Sequence, residues 1–144
     1  MPTYIVTTKP CLLNDEKKER IAQFITKTHT EITNAPNYFA QIIFREEACR
    51  YIGGHPANEQ IWIRADIRAG RSSDKRSLLI KKIVEGVAEI AEVPESDLWV
   101  FLNNLDPTDM AEYGKILSEP GHEQEWFSSL PLEIQKKLSE INSL

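Results

Sequence analysis

Cysteine is scarce in this sequence, as are histidine, glycine and long apolar runs, and each scarcity excludes a class of protein. The two cysteines, Cys11 and Cys49, form no Cys-x-x-Cys pair, so we expect neither a disulfide framework nor a zinc site, and we expect a cytoplasmic location. No segment approaches the ~20 apolar residues of a membrane span, and the first residues hold no run typical of a signal peptide. No glycine-rich phosphate loop, Gly-x-Ser-x-Gly motif or metal-spaced histidine–carboxylate cluster occurs, so no cofactor and no metal are expected.

Basic residues are also in deficit. The 17 lysines and arginines face 22 acidic residues, which gives a net charge of −5. A nucleic-acid binder that works by bulk electrostatics needs the opposite balance, so that class is not expected, although a local basic cluster could still bind a small anion. With 144 residues, 41% of them hydrophobic and 27% charged, the chain fits one globular domain over residues 1–144.

The spacing of apolar residues predicts two strand–helix–strand units of similar length. The predicted strands are residues 3–8, 39–45, 60–67 and 98–103, and the predicted helices run from Asn14 to about Thr33 and from residues 72–74 to about Glu92. Each unit is typical of a βαβ arrangement with parallel strands and a right-handed crossover. Residues 46–59 are predicted to form a connector, and the remainder, 105–144, to form turns followed by a short helix near 131–141.

Pro2 is the first candidate for chemistry. Met1 is usually removed when the next residue is small, and its removal would leave a secondary amine. A model α-amino group titrates at about 7.7–8.0, so this amine could act as a general acid or base at neutral pH. The first predicted strand begins at Thr3, and a terminus held in a sheet is fixed where most termini are loose. Many sequences begin Met-Pro with no chemical role, so Pro2 alone leaves both interpretations open.

A turn with two arginines, Arg68 and Arg71, lies between a predicted strand and a predicted helix. N–H groups at a helix start favour anions, and two arginines three positions apart add fork-like donors that suit a carboxylate. Ligands also collect beyond the carboxyl ends of strands in open α/β sheets. A solvated turn with surface arginines fits the same residues.

Two other ionisable side chains are weaker candidates. His29 lies beside the apolar stripe of the first predicted helix, where a part-buried histidine without a catalytic role is the commoner finding. Glu112 is one of 22 acidic residues, and its local sequence alone does not single it out. His55 and His122 are flanked by glycine or proline and are predicted to lie on the surface.

Together these motifs resemble the tautomerase superfamily, and in length and order they are similar to its cis-3-chloroacrylic acid dehalogenase group. Residues 25–29 (Ile-Thr-Lys-Thr-His) resemble that group's histidine-bearing first helix. Residues 68–71 resemble its Arg-x-Gly-Arg turn, 110–114 resemble its Met-x-Glu-Tyr-Gly segment, and 120–127 are similar to a shared carboxyl-terminal segment. The resemblance implies an α/β (α+β) fold of tandem βαβ units. Its four-stranded mixed sheet carries two helices on one face, and a carboxyl-terminal extension contains a short helix.

The resemblance also implies a role for each motif residue. Pro2 transfers a proton to or from a substrate carbon, and Arg68 and Arg71 bind the substrate carboxylate. Glu112 activates a water, and His29 places the substrate or that water. The implied substrate is a small enolic or unsaturated carboxylic acid, no cofactor is needed, and the implied assembly is a homotrimer whose site includes residues of a neighbouring chain.

Phe101 departs from the pattern, because the dehalogenase group carries a tyrosine there. Phenylalanine cannot donate a hydrogen bond to a water, so we expect Phe101 at the substrate site but not efficient dehalogenation. Two reactions stay open: tautomerisation needs a neutral Pro2 amine, whereas hydration or dehalogenation needs a protonated one. A non-catalytic binding or signalling protein on the same fold is the alternative.

Overall fold

The computed structural model describes residues 2–143, and its strands and helices follow the predicted order. The strands are β1 (Thr3–Thr8), β2 (Gln41–Glu46), β3 (Tyr51–Ile52), β4 (His55–Pro56), β5 (Ile61–Arg68), β6 (Leu98–Leu105), β7 (Ala111–Glu112) and β8 (Lys115–Ile116). The helices are α1 (Asp15–Thr33), α2 (Ser73–Ala91), α3 (Glu123–Ser128) and α4 (Leu132–Asn142). None of the helices in these residues is long and apolar enough to cross a membrane.

The main sheet has four strands in the order β2-β1-β5-β6. β1 pairs with β2 in parallel, β5 pairs with β6 in parallel, and β1 and β5 join the two units in antiparallel orientation. The register sets Thr3 opposite both Gln41 and Asp66, so the end of β5 lies beside the start of β1. The predicted pair of parallel units in one mixed sheet is therefore confirmed.

Side-chain caps explain where the two long helices begin. The Asn14 side chain accepts a hydrogen bond from the Lys17 N–H at 2.8 Å, and the Ser72 hydroxyl accepts one from the Lys75 N–H at 3.3 Å. Both helices bury apolar residues that recur every three or four positions, against one face of the sheet. The resulting core contains residues of both helices and of strands β1 and β5, among them Tyr4, Val6, Ile21, Ile25, Ile63, Leu79, Ile83 and Val87.

The structure differs from the prediction mainly in the connecting segments. A 3-10 turn at Asn37–Phe39 delays the start of β2 to Gln41, and β6 continues to Leu105. Residues 46–59 are not a plain connector, because they contain the β3–β4 hairpin. Its turn is formed by Gly53 and Gly54, whose φ angles of 57° and 80° suit glycine.

The carboxyl-terminal extension packs against the segment between α1 and β2 as a second apolar cluster. It holds α3 in addition to the predicted short helix, and the buried residues of the cluster are Ala35, Tyr38, Phe39, Leu117, Trp126, Leu130 and Leu138. The Trp126 indole N–H donates to the Ile116 carbonyl at 2.9 Å, which fixes β8 to α3. The extension thereby holds the β7–β8 hairpin, and Glu112 with it, near the start of β1.

The sheet face opposite the two long helices carries large apolar side chains that one chain leaves exposed. Ile43, Trp99 and Phe101 are 37%, 43% and 51% exposed, respectively. The Trp62 and Phe101 rings meet edge to face, with centroids 5.9 Å apart. A soluble protein rarely leaves such a patch uncovered, so this face is suited to contact another molecule.

Candidate active site

Pro2 is buried directly before β1, where the neighbouring strand holds its backbone. Its carbonyl accepts a hydrogen bond from the Gln41 N–H at 2.9 Å. Because side chains alternate along a strand, Pro2 and Tyr4 face the same side of the sheet, the side covered by α1 and α2. Removal of Met1 concerns a residue outside the described part of the chain, so it stays a prediction.

His29 lies in the last part of α1 and is buried against Tyr4. It is 2% exposed, and the Tyr4 hydroxyl lies 2.8 Å from its Nδ1 atom. The two rings meet edge to face with centroids 5.9 Å apart. His29 is therefore held by strand β1, the strand that directly follows Pro2.

The surroundings of His29 keep its imidazole neutral. Burial, followed by the positive charges of Arg71 and Arg68, lowers the pKa of His29 to about 3. Burial also raises the pKa of Tyr4, so its hydroxyl keeps its proton. We assign the tautomer in which this hydroxyl donates a hydrogen bond to Nδ1. A neutral imidazole that accepts at Nδ1 carries its proton at Nε2. The Nε2 atom is buried and has no hydrogen-bond partner within residues 2–143, so it can donate to a bound ligand.

Arg68 is the last residue of β5 and is 1% exposed. Its Nη1 atom donates to the Ser118 carbonyl oxygen at 2.6 Å, and its Nη2 atom forms an ion pair with the Glu123 carboxylate. Both terminal nitrogens are thus engaged by the carboxyl-terminal extension. Its Nε atom is buried without a hydrogen-bond partner within the described chain. One N–H group on each terminal nitrogen of Arg68 is thus engaged, which fixes the plane of the guanidinium.

Arg71 lies in the turn before α2 and is half-buried. Its Nη1 atom donates to the Arg68 carbonyl at 2.9 Å, which ties the two arginines together. Burial, with the positive charge of Arg68 beside it, lowers the pKa of Arg71 from its ordinary value. The guanidinium also interacts electrostatically with Tyr4 and His29. Arg71 therefore supplies positive charge next to the strand that begins at Pro2.

Glu112 lies in β7 and borders a cavity of about 850 Å³. Thr3 and Asp66 line the same cavity, as do residues on both sides of Glu112. Tyr113, the next residue, donates from its hydroxyl to the Tyr38 carbonyl, which fixes the hairpin. The carboxylate is therefore presented at a space that opens beside the residue following Pro2.

Phe101 does not join this group within one chain. It pairs with Arg64 on β5, which in turn pairs with Ile5 on β1, so it lies two strands away, or about 10 Å. It borders a separate cavity of about 500 Å³ with Trp62 and Trp99. The structure thus brings Pro2, His29, Arg68, Arg71 and Glu112 to one end of the sheet and sets Phe101 apart on its exposed face.

Two residues of this site were missed from the sequence. Tyr4 could have been found, because strand alternation puts it on the same side as Pro2. Glu123 lies in the segment 120–127 noted for its resemblance, but nothing in the sequence indicated its pairing with Arg68, which bridges 55 positions along the chain. Together these groups form a partly buried, positively charged cluster with a neutral imidazole, and positive charge of this kind suits a small carboxylate.

Comparison with known proteins places the chain in a family and agrees with its fold. Over residues 1–129 the sequence matches the family described as "Putative oxalocrotonate tautomerase enzyme". The crystal structure of N1, a member of the cis-3-chloroacrylic acid dehalogenase family, is 37% identical and superposes with a TM-score of 0.93, covering 96% of this chain and 99% of that one. No curated protein matches the sequence.

More distant structures share the fold alone. A fused 4-OT wild-type asymmetric trimer, F6, is 23% identical with a TM-score of 0.72, covering 79% of this chain and 94% of that one. Macrophage migration inhibitory factor from Toxoplasma gondii is 12% identical with a TM-score of 0.69, covering 78% and 97%. These structures and this chain therefore share one class of fold.

Within that class, the chain belongs to the oxalocrotonate tautomerase family whose model spans most of its length, and it is similar to the cis-3-chloroacrylic acid dehalogenase group. The resemblance inferred from the motifs is confirmed. The roles of the individual site residues remain predictions.

Proposed function

We propose that this protein is a cofactor-independent enzyme that uses the amine of Pro2 to move a proton on a small enolic or unsaturated carboxylic acid. The observation that carries the proposal is the convergence of the buried Pro2, the neutral His29 and the two joined arginines at one end of the sheet. Arg71, with the Nε atom of Arg68, would bind the substrate carboxylate. The Nε2–H of His29 would donate to a substrate oxygen.

The charges around Pro2 favour tautomerisation over hydration. Burial disfavours the protonated amine, and the nearby positive charge of Arg71 acts in the same direction. A neutral amine can take the proton of an enol hydroxyl and return it at carbon. Hydration needs the opposite starting state, in which a protonated Pro2 gives its proton to one carbon while water activated by Glu112 attacks the next.

Phe101 would contribute to the substrate site of a neighbouring copy of the chain. It lies on the exposed sheet face with Trp99, where a homotrimer would bury it, as the trimeric assembly of the fused 4-OT structures makes plausible for this fold. In that assembly Phe101 would close the substrate site of a neighbour with an apolar ring. Because the ring cannot donate a hydrogen bond to water, hydration would be the weaker reaction.

The proposal is tested by two assays on the same preparations. Phenylenolpyruvate ketonisation reports tautomerisation, and cis-3-chloroacrylate hydrolysis reports hydration. We expect the wild type to be active in the first assay, and Pro2→Ala and Arg71→Ala each to lose about 10²-fold or more in kcat/KM. Lys81→Gln, a change at a 71% exposed side chain on α2, is the control and should keep full activity.

Phe101→Tyr separates the two reactions. It should raise chloroacrylate hydrolysis more than ketonisation, because the restored phenol can assist the attacking water. An equal effect on both reactions would contradict the role given to Phe101. A wild type inactive in both assays, or a Pro2→Ala variant as active as the wild type, would favour the non-catalytic alternative.

A further inference from the structure

The carboxylate of Glu123 stabilises the buried guanidinium of Arg68. A guanidinium that is 1% exposed needs hydrogen-bond and charge partners, since an unpaired buried charge is strongly unfavourable. In residues 2–143 the carboxylate paired with Arg68 is that of Glu123, whose side chain is 20% exposed. The ion pair joins the end of β5 to the start of α3.

The Glu123 carboxylate is itself held in place. The Gly121 N–H donates to its two oxygens at 3.2 and 3.0 Å. Burial alone would raise the pKa of the Glu123 carboxyl, but the hydrogen bonds from Arg68 and from backbone N–H groups hold it below its ordinary value. The carboxylate is therefore a fixed negative charge at neutral pH.

The segment before Glu123 also shapes the arginine turn. Pro120 packs against Gly70, where a Cβ atom would lie 2.9 Å from the Pro120 Cγ. The Ser118 carbonyl takes the second terminal nitrogen of Arg68. One short stretch, residues 118–123, thus covers the turn, contacts both terminal nitrogens of Arg68 and places the negative charge of Glu123 against it.

These contacts change the charge that a ligand meets. Arg68 and Arg71 contribute two positive charges and Glu123 one negative charge, while His29 is neutral. These four side chains therefore carry a net charge of +1. Arg76, which donates from Nη1 to the Arg71 carbonyl, adds a positive charge beside them that the variants below leave unchanged. The negative charge of Glu123 also acts on Arg71 directly, so it is felt at both arginines.

We propose that Glu123 is a positioning and specificity residue: it fixes the Arg68 guanidinium through its Nη2 atom and offsets one positive charge of the cluster, which selects monocarboxylates over dicarboxylates. A second substrate carboxylate placed beside Arg68 would meet a guanidinium that is already paired and would be repelled by the Glu123 carboxylate. The proposal rests on the proposed function for the identity of the pocket, but its charge balance can be tested without turnover.

The test compares the binding of butanoate and succinate to the full-length protein by NMR titration at pH 7.5 and low ionic strength. The two probes have the same number of carbons, and succinate replaces a methyl group by a carboxylate. Glu123→Gln keeps the shape of the side chain and raises the cluster to +2. We expect the ratio of succinate to butanoate affinity to rise about threefold to tenfold, the size of one added charge at roughly 8 Å in a partly solvated site.

Two further variants keep the test decisive. Arg68→Gln lowers the cluster to zero and should lower the ratio by a similar factor, so it tests the same charge balance if Glu123→Gln does not fold. The double variant Arg68→Gln/Glu123→Gln returns the cluster to +1 and should restore the wild-type ratio. Glu119→Gln removes one exposed negative charge from the same segment and should leave the ratio within about twofold, because exposed charges are screened.

The proposal is overturned if Glu123→Gln and Arg68→Gln both leave the ratio unchanged, or if Glu119→Gln changes it as much as Glu123→Gln. A purely structural role of Glu123 would lower the affinity for both probes equally. The ratio of succinate to butanoate affinity can follow the charge of the cluster even if the protein has no ketonisation activity. That result would support the role of Glu123 and would contradict only the proposed function.

Discussion

Replacing Tyr4 by phenylalanine removes a single oxygen atom from the interior and takes the hydrogen-bond donor away from His29. The hydroxyl lies 2.8 Å from Nδ1, Tyr4 is fully buried and His29 is 2% exposed. No water can take the place of the hydroxyl without a cavity, so Nδ1 becomes a buried acceptor without a partner. Such a change costs about 1–3 kcal/mol of unfolding free energy.

The loss of this hydrogen bond should also be visible at the imidazole. With Tyr4 present, the proton of His29 is confined to Nε2. In Tyr4→Phe nothing confines it, so a mixture of the two tautomers is expected, and kcat should fall because only the Nε2–H form donates into the site. A merely structural role of Tyr4 would lower stability and leave the tautomer of His29 unchanged.

The assay is chemical denaturation at fixed protein concentration, combined with ¹⁵N NMR of the histidine ring. If thermal unfolding is followed instead, a loss of 1 kcal/mol in unfolding free energy corresponds to a decrease of roughly 2–4 °C in Tm for a chain of this size. Tyr51→Phe, on an exposed hairpin, is the matched control and should leave stability within about 0.5 kcal/mol. If Tyr4→Phe were as stable as this control and His29 kept a single Nε2–H tautomer, the account of Tyr4 and His29 would be refuted.

Two further predictions concern pH and the arginine turn. The pKa of His29 is about 3 in the folded protein and about 6.5 when unfolded, so the unfolded state binds the extra proton between these values. The unfolding free energy should therefore fall as the pH is lowered from about 6.5 to about 3, by at most ~1.4 kcal/mol per pH unit, and His29→Gln should show a shallower dependence in denaturation at several pH values. Gly70 has a φ of 110° and faces Pro120, so Gly70→Ala should cost about 1–3 kcal/mol in denaturation and raise KM for the carboxylate substrate. A variant as stable as the wild type with an unchanged KM would show that this turn tolerates a side chain.

Much of the fold could be predicted because local signals agreed with tertiary packing. Apolar residues such as Ile21, Ile25 and Leu79 recur at helical spacing and are buried as that spacing predicts. Asn14 and Ser72 cap the two long helices. The hairpin at Tyr51–Pro56 and the helix at Glu123–Ser128 were not predicted, because elements this short carry too few periodic residues to register.

The main residues of the site could be predicted from the sequence, but the interactions that hold them in place could not. Pro2, the arginine turn and Glu112 could be chosen from motif order, but the engagement of Arg68 depends on an ion pair between distant residues. The position of Phe101 shows a second limit. A residue that serves a neighbouring chain has no reason to lie near the site of its own chain, and a single sequence does not reveal which surface meets a partner.

The central claim is that Pro2 acts through a free amine. The most direct measurement is the titration of the Pro2 nitrogen by ¹⁵N NMR, in protein that has been made in its native host. The account predicts a secondary amine that titrates below the ordinary range of about 7.7–8.0, because Pro2 is buried and Arg71 acts electrostatically on Tyr4, two residues along the chain. It also predicts that the same value appears as the acidic limb of kcat/KM for phenylenolpyruvate ketonisation. A Pro2 nitrogen still in amide linkage to Met1, with ketonisation activity undiminished, would contradict the account.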